Sequence, residues 1–246
     1  CGHVFGTFER GRFCHLLRRY YCAECHLNER FVIADKVLKR WDLRPHRVCT
    51  KAYGLLTGGY EEPIYSAERD VSAEAHARAK GLEELRRVRL RARMMREYLE
   101  ACPNFPCARC SEDERRAAVD LGGRNHLVDD DDTLSLRDLV ELEGGELVRY
   151  LESVMAGWEE HICRQCSLCS EKGHFCEACR SNERLFPFEL DRIDTCAECK
   201  AIFHADCLRK SSVQCARCER IRRIKHVNDN GQDGSLILDL LNEDYI

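Results

Sequence analysis

CAECKAIFHADCLRKSSVQCARC, residues 196 to 218, sets Cys196, Cys199, His204, Cys207, Cys215 and Cys218 within one short stretch. Thiols and an imidazole at such spacing suit a structural zinc site, because a CxxC turn offers two sulfurs and two such pairs complete a tetrahedral ion. Working upstream, the same style recurs at Cys176/Cys179 and Cys166/Cys169, so the C-terminal region holds five pairs. The last four can interleave, first with third and second with fourth. One ion then takes Cys176, Cys179, His204 and Cys207, and the other takes Cys196, Cys199, Cys215 and Cys218. Cys166 and Cys169 then need an outside partner, for which Cys107/Cys110 is a candidate. Joining Cys166/Cys169 to Cys176/Cys179 is the alternative, and it leaves His204/Cys207 short.

At the other end Cys22/Cys25 forms a further knuckle, with Cys1 and Cys14 upstream to complete a four-thiolate site. His3 and His26 are spare imidazoles that could substitute. Cys49 and Cys163 read as non-ligands. Three or more structural Zn²⁺ ions are therefore expected.

Totals support metal over disulfides. The 246 residues carry 18 cysteines, yet 33% of the chain is charged, and a secreted disulfide scaffold is normally shorter and does not favour CxxC. Metal thiolates in a reducing cytosol fit better. The formal net charge is −4, so no global basic field argues for nucleic acid. No apolar run approaches the ~20 residues that cross a bilayer. Beginning in mid-motif at Cys1, the sequence reads as a piece of a longer protein.

Composition divides the chain into four stretches. Residues 1–60 form an N-terminal zinc-knuckle module of FYVE-like style, with eleven Lys/Arg against five Asp/Glu. Residues 61–162 are helical in pattern, residues 163–226 a multi-zinc module of RING, PHD or C1 style, and residues 227–246 a tail containing LILDLL. The expected fold class is α+β, with small irregular zinc modules flanking a helical middle. There, Leu82, Leu85, Val88, Ala92, Met95, Leu99 and Cys102 recur at steps of three and four, the apolar face of one helix that Ser72 or Asp70 could cap and Pro103 stops. Its other faces carry Arg78, Lys80, Arg86, Arg87, Arg89, Arg91, Arg93 and Arg96, and read as solvated or as a surface for acidic partners or an anionic membrane. Ser135 and Asp138 predict a capping box, and Gly144-Gly145 a break before a further helix. Trp41 and Trp158 are expected in the core.

No phosphate loop, nucleophile elbow or HExxH is present, and every zinc site that can be assembled is filled by protein ligands. A small-molecule substrate is not expected. CAEC…FHADCL…CARC prompts a RING-type ubiquitin ligase, but Lys200 and Ala201 follow Cys199 where an apolar docking residue belongs, and the last pair lacks its proline. RRYYCAECH prompts a FYVE-like phosphoinositide binder, although Glu24 sits inside the knuckle.

Three blocks, YYCAECHLNERFVIADKVLKRWDL, HFCEACRSNERLFPFE and CAECKAIFHADC…CARC, together resemble the Rubicon homology domain, over nearly the whole chain from Cys1 to about Ile221. The resemblance implies a zinc-stabilised, non-enzymatic scaffold. It would bind a GTP-loaded late-endosomal Rab-family GTPase on the cytosolic face of late endosomes and lysosomes, acting in endosome–lysosome traffic and autophagosome maturation. It implies metal ligands at Cys22, Cys25, Cys166, Cys169, Cys176, Cys179, Cys196, Cys199, His204, Cys207, Cys215 and Cys218. Cys1 would be the second member of an opening CxxC, which leaves Cys14 open to a different site. An anionic membrane surface is a second expected partner.

Overall fold

The computed structural model describes residues 1–7, 9–179, 181–210 and 215–229. The LILDLL tail lies outside them. The chain divides into two compact units that do not follow chain order: 1–96 with 110–158, and 97–109 with 159 onward. Both mix helices with two-stranded antiparallel sheets, so the class is α+β as the sequence implied. Among the described residues no helix is long and apolar enough to cross a membrane.

The first unit opens with a hairpin of β1 (Arg12–Cys14) and β2 (Arg19–Tyr21), in which Phe13 faces Tyr20. Next come β3 (Glu29–Phe31), α1 (Ala34–Arg40), β4 (His46–Val48) and α2 (Thr50–Gly58). A small core gathers Ile33, Val48 and Ala52 with Cys14 and Cys49. Trp41 is buried at the end of α1, where its indole N–H donates to Glu143 Oε2 at 2.6 Å. The polar tip of the ring is thereby satisfied while its bulk fills space.

After β5 (Tyr65–Ser66), the helix expected from Ser72 onward is two helices, α3 (Ala73–Arg78) and α4 (Leu82–Glu100). The break falls at Gly81, where a Cβ would come within 2.9 Å of Leu142 Cδ1. A Cβ at residue 81 would make the Leu142 side chain shift, a neighbour that periodicity along the helix does not reveal. Ser72 caps α3 by accepting from the Ala75 N–H, replacing a bond that a helix start lacks. The apolar stripe of α4 is buried throughout, Cys102 just beyond its end included.

Behind α4 come α5 (Glu112–Val119), α6 (His126–Asp129), β6 (Thr133–Leu134), α7 (Leu136–Glu143) and α8 (Glu146–Glu160). Ser135 and Asp138 form the expected capping box, and α7 and α8 part at Gly144-Gly145. Trp158 is buried on α8. Asp138, fully buried, accepts from the Ser135 N–H and hydroxyl, from His126 and from Arg124. Burial alone would raise its pKa, but these donors hold the carboxyl well below the ordinary range.

The arginine face of α4 corrects the solvated reading at three positions. Arg89 is 3% exposed and donates to the carbonyls of Leu127, His126, Asp130 and Thr133 at 2.8–3.2 Å. A guanidinium can satisfy several carbonyls at a helix end at once. Arg93 pairs with Asp131, and Arg96 with Asp129 at 2.7 Å. The acidic run 129–132 therefore serves as internal counter-charge.

The second unit starts where α8 widens into a π-helical turn, His161–Gln165. Then follow α9 (Ser167–Ser170), β7 (His174–Phe175), β8 (Arg184–Leu185), β9 (Ile193–Thr195), β10 (Ile202–His204), α10 (Ala205–Lys210) and α11 (Ala216–Asp229). Leu185, Ile193, Ile202 and Phe203 bury themselves among cysteines. Tyr98, in the last turn of α4, meets the stacked rings of Phe186 and Phe188 edge-on.

Candidate metal centres

Among the described residues the thiols and imidazoles gather into four clusters, each with ligand atoms all within 4.8 Å of one another. Cys176, Cys179, His204 and Cys207 form one, and Cys196, Cys199, Cys215 and Cys218 another. These are the interleaved groupings. The scaffold that produces them is a pair of hairpins. Cys176/Cys179 sits between β7 and β8, and Cys196/Cys199 between β9 and β10, where the Cys196 N–H donates to Ala201 O at 2.9 Å. The β9–β10 register pairs His204 with Ile193, so the imidazole stands at the far end of the hairpin from Cys196. Lys200 takes a left-handed φ of 60° directly after the knuckle, as a tight turn there requires.

Spacing tests whether an ion fits. Bonds of about 2.3 Å to sulfur and about 2.0 Å to nitrogen, at tetrahedral angles, separate ligands by about 3.5–3.8 Å. Cys196–Cys218 and Cys199–Cys215 are both 3.6 Å apart. His204 Nδ1 is 3.3 Å from Cys179 Sγ and 3.9 Å from Cys207 Sγ. Such separations are far beyond a sulfur–sulfur bond of about 2.05 Å. The other ring nitrogen of His204 faces Glu183 at 3.7 Å, the kind of carboxylate that orients a ligating imidazole.

A third cluster joins Cys102, His161, Cys166 and Cys169, all buried. The outside partner sought for Cys166/Cys169 is thus Cys102 with His161, and the candidate pair Cys107/Cys110 is not used. Those two cysteines are disulfide-bonded and belong to none of the clusters. Cys102 Sγ lies 3.5 Å from His161 Nε2 and 3.6 Å from Cys166 Sγ. The π turn sets this geometry: the Cys166 N–H reaches back to His161 O at 3.0 Å, five residues away, which carries the imidazole round to the knuckle. Phe105 packs edge-on against the His161 ring at 4.9 Å. Burial lowers the His161 pKa, favouring the neutral ring that a metal requires.

The fourth cluster is Cys1, Cys22 and Cys25, with Cys1 Sγ 3.6 Å from Cys22 and 3.3 Å from Cys25. Cys14 does not join it. That side chain is fully buried on β1 with Cys49 in the small core, whereas the knuckle lies beyond the end of β2. His3 bonds Glu9 at 2.8 Å. His26 is buried, with ring contacts to Phe13 O and the Asn28 N–H. Cys163 stands outside all four groups, its thiol pushed up to about 11 by burial and then by Glu159.

The first cysteine of each knuckle shares one electrostatic trait. Backbone N–H groups two and three positions further along point at the sulfur, the third alone in the case of Cys166. For Cys22 and Cys196 the N–H of the pair's second cysteine is the largest influence, lowering the pKa, to about 6 for Cys196. Cys176 also falls to about 6, despite burial, through N–H groups of His204, Cys179 and Ala178. Cys166 is lowered against burial in the same way. Thiolates prepared by backbone dipoles are suited to binding a cation.

Closed Cys₄ and Cys₃His clusters, set in hairpin knuckles, helix ends and a π turn, define a protein with several sites that could each hold a structural metal ion. The chain belongs to the Rubicon homology domain family, whose sequence profile matches residues 12–223. It is 34% identical over 211 residues to human pleckstrin homology domain-containing family M member 3, covering 86% of this chain and 26% of that protein. Likeness to the Drosophila melanogaster differentially expressed in FDCP 8 homolog is 30% over 225 residues, 90% of this chain and 44% of the relative. To the mouse Run domain Beclin-1-interacting and cysteine-rich domain-containing protein it is 31% over 215 residues, 87% and 21%. The chain therefore spans less than half the length of each of these relatives. The family is one of protein-interaction roles in trafficking.

Proposed function

We propose that this chain is a zinc-stabilised, non-enzymatic interaction module that binds a late-endosomal Rab-family GTPase in its GTP-loaded form. It would work on the cytosolic face of late endosomes and lysosomes, in endosome–lysosome traffic and autophagosome maturation. The observation that carries the reading is that three of the four clusters supply four donors each from the chain itself. Four protein donors complete a tetrahedral zinc, so the ion's contribution is shape, and the work falls to the surface that it holds. Rigid presentation of a surface reduces the ordering cost of docking. The GTPase is what the resemblance of the three cysteine blocks implies, and one mouse relative is named for its interaction with another protein, Beclin-1.

The test is capture of late-endosomal Rab, loaded with GTP analogue or GDP, by the zinc-loaded chain. Retention of the GTP form alone is expected. Equal retention of both forms, or of neither, would sink the proposal.

A further inference from the structure

The β1–β2 hairpin carries an exposed apolar tip that the small core beneath it does not use. Phe13 and Tyr20 face each other across the strands with ring centroids 5.2 Å apart, yet they remain 37% and 66% exposed. Leu17 projects from the turn between them, 36% exposed. The turn is firmly held: the Arg18 N–H donates to Cys14 O at 2.9 Å, and Cys14 is wholly buried. Arg18 adopts a left-handed φ of 54°, which closes the turn tightly. This is a rigid wedge with apolar side chains on its outside.

Beside the wedge lies an open cavity of about 710 Å³, walled by Phe13 and the turn on one side and by α1 on the other. Its charged lining is four cations, Arg18, Lys36, Lys39 and Arg40, against two acids, Asp35 and Asp42. Both acids already have partners. Asp35 holds Lys39 at 2.5 Å, and Asp42 holds Arg44 at 2.8 Å and His46 at 3.2 Å. The cavity's positive field therefore comes from Arg18, Lys36 and Arg40. His15 adds a ring that can donate or accept.

From this juxtaposition we infer that the hairpin is a membrane-docking wedge for an anionic bilayer, with a phosphorylated lipid headgroup in the adjacent basic cavity. An apolar–aromatic tip flanked by cations matches the bilayer interface in order of depth: tyrosine sits naturally at the headgroup level, while Lys and Arg meet the anionic surface. The tip and the basic cavity share the Phe13 wall, so a single anionic bilayer surface can meet both at once. The wedge lies in the first unit and needs no part of the GTPase reading.

The experiment is vesicle sedimentation of the zinc-loaded chain on phosphatidylcholine alone, with phosphatidylserine, or with a phosphatidylinositol monophosphate at matched charge. Binding is expected on the two anionic surfaces, tighter on the phosphoinositide, and absent on the neutral one. Arg18→Ala and Lys36→Ala should each weaken it about fivefold, and together about 25-fold. Phe13→Ser should weaken binding to both anionic vesicles alike. A soluble inositol phosphate should displace the chain only in part, because it offers nothing to the tip. Leu17→Trp gives a second measurement that leaves the charges alone, and its fluorescence should shift to the blue on anionic vesicles. Equal binding to neutral vesicles, unchanged binding by the double alanine variant, no blue shift, or full displacement by the soluble headgroup would each overturn the proposal. So would loss of GTPase capture, with vesicle binding intact, in the Arg18→Ala/Lys36→Ala chain.

Discussion

Replacing Cys102 by alanine removes one sulfur and almost nothing else, because the residue already follows a buried helical stripe and a methyl group fits where the thiol was. Lost packing should cost about 1 kcal/mol. Lost ligation should cost more. A structural zinc contributes about 10–16 kcal/mol, and an even share among four donors is roughly 3–4 kcal/mol, a weakening of about 10²–10³-fold in zinc affinity. The loss should fall on one ion, since Cys102, His161, Cys166 and Cys169 share no ligand with the other three clusters. Native mass spectrometry in mild chelator should show one zinc fewer per chain, and titration against a chromophoric chelator should show one site weakened by that factor. The paired control is Cys107→Ala/Cys110→Ala, which should keep every zinc. If that control loses an ion while Cys102→Ala keeps the wild-type count, the third cluster is misassigned.

Full chelation should unfold the ends of the domain and abolish partner binding, because site formation and folding are coupled. A chelated chain that keeps its circular dichroism and its binding would contradict this. Asp138, whose native pKa lies below its unfolded value of about 3.9, stabilises the first unit above about pH 4, and that contribution drains away as pH falls further. Asp138→Asn should remove about 3 kcal/mol at neutral pH and flatten the acid slope. Comparing wild type and variant through fluorescence of Trp41 and Trp158, both in that unit, cancels any zinc loss common to the two. Arg89→Met strands carbonyls that Arg89 now satisfies and should cost about 2–4 kcal/mol in denaturant titration.

The interleaved pairing was one of two combinations the sequence left open: each pair names two donors within one turn, and the order of pairs limits how they can combine. Cys102 could not be read that way. Its place after Leu99 completes an apolar i, i+3 stripe, and burial is what both a packing thiol and a ligand would show. His161 hides for a related reason. WEEHI reads as helix, and only a π turn, a departure from the 3.6-residue period, brings the ring to Cys166. One sequence signal did point there: Cys166/Cys169 lacked a partner once the later pairs were matched. Gly81 and Arg89 were opaque because their roles depend on Leu142 and on the carbonyls after His126, which lie far along the chain. Local pattern names the faces of a helix, but it does not name what arrives to cover them.

The separation between Cys102 and its co-ligands has a consequence during synthesis. Cys199 and Cys215 are 16 residues apart, so at about 5–20 residues per second their partners emerge within roughly 1–3 s of each other. Cys102 precedes Cys166 by 64 residues and must wait roughly 3–13 s. Throughout that interval the ribosome-bound chain carries an unpartnered thiol just past a nascent helix, open to oxidation or to the wrong knuckle. The site buried most completely in the finished protein is thus the one whose first ligand stays unprotected longest while it is being made.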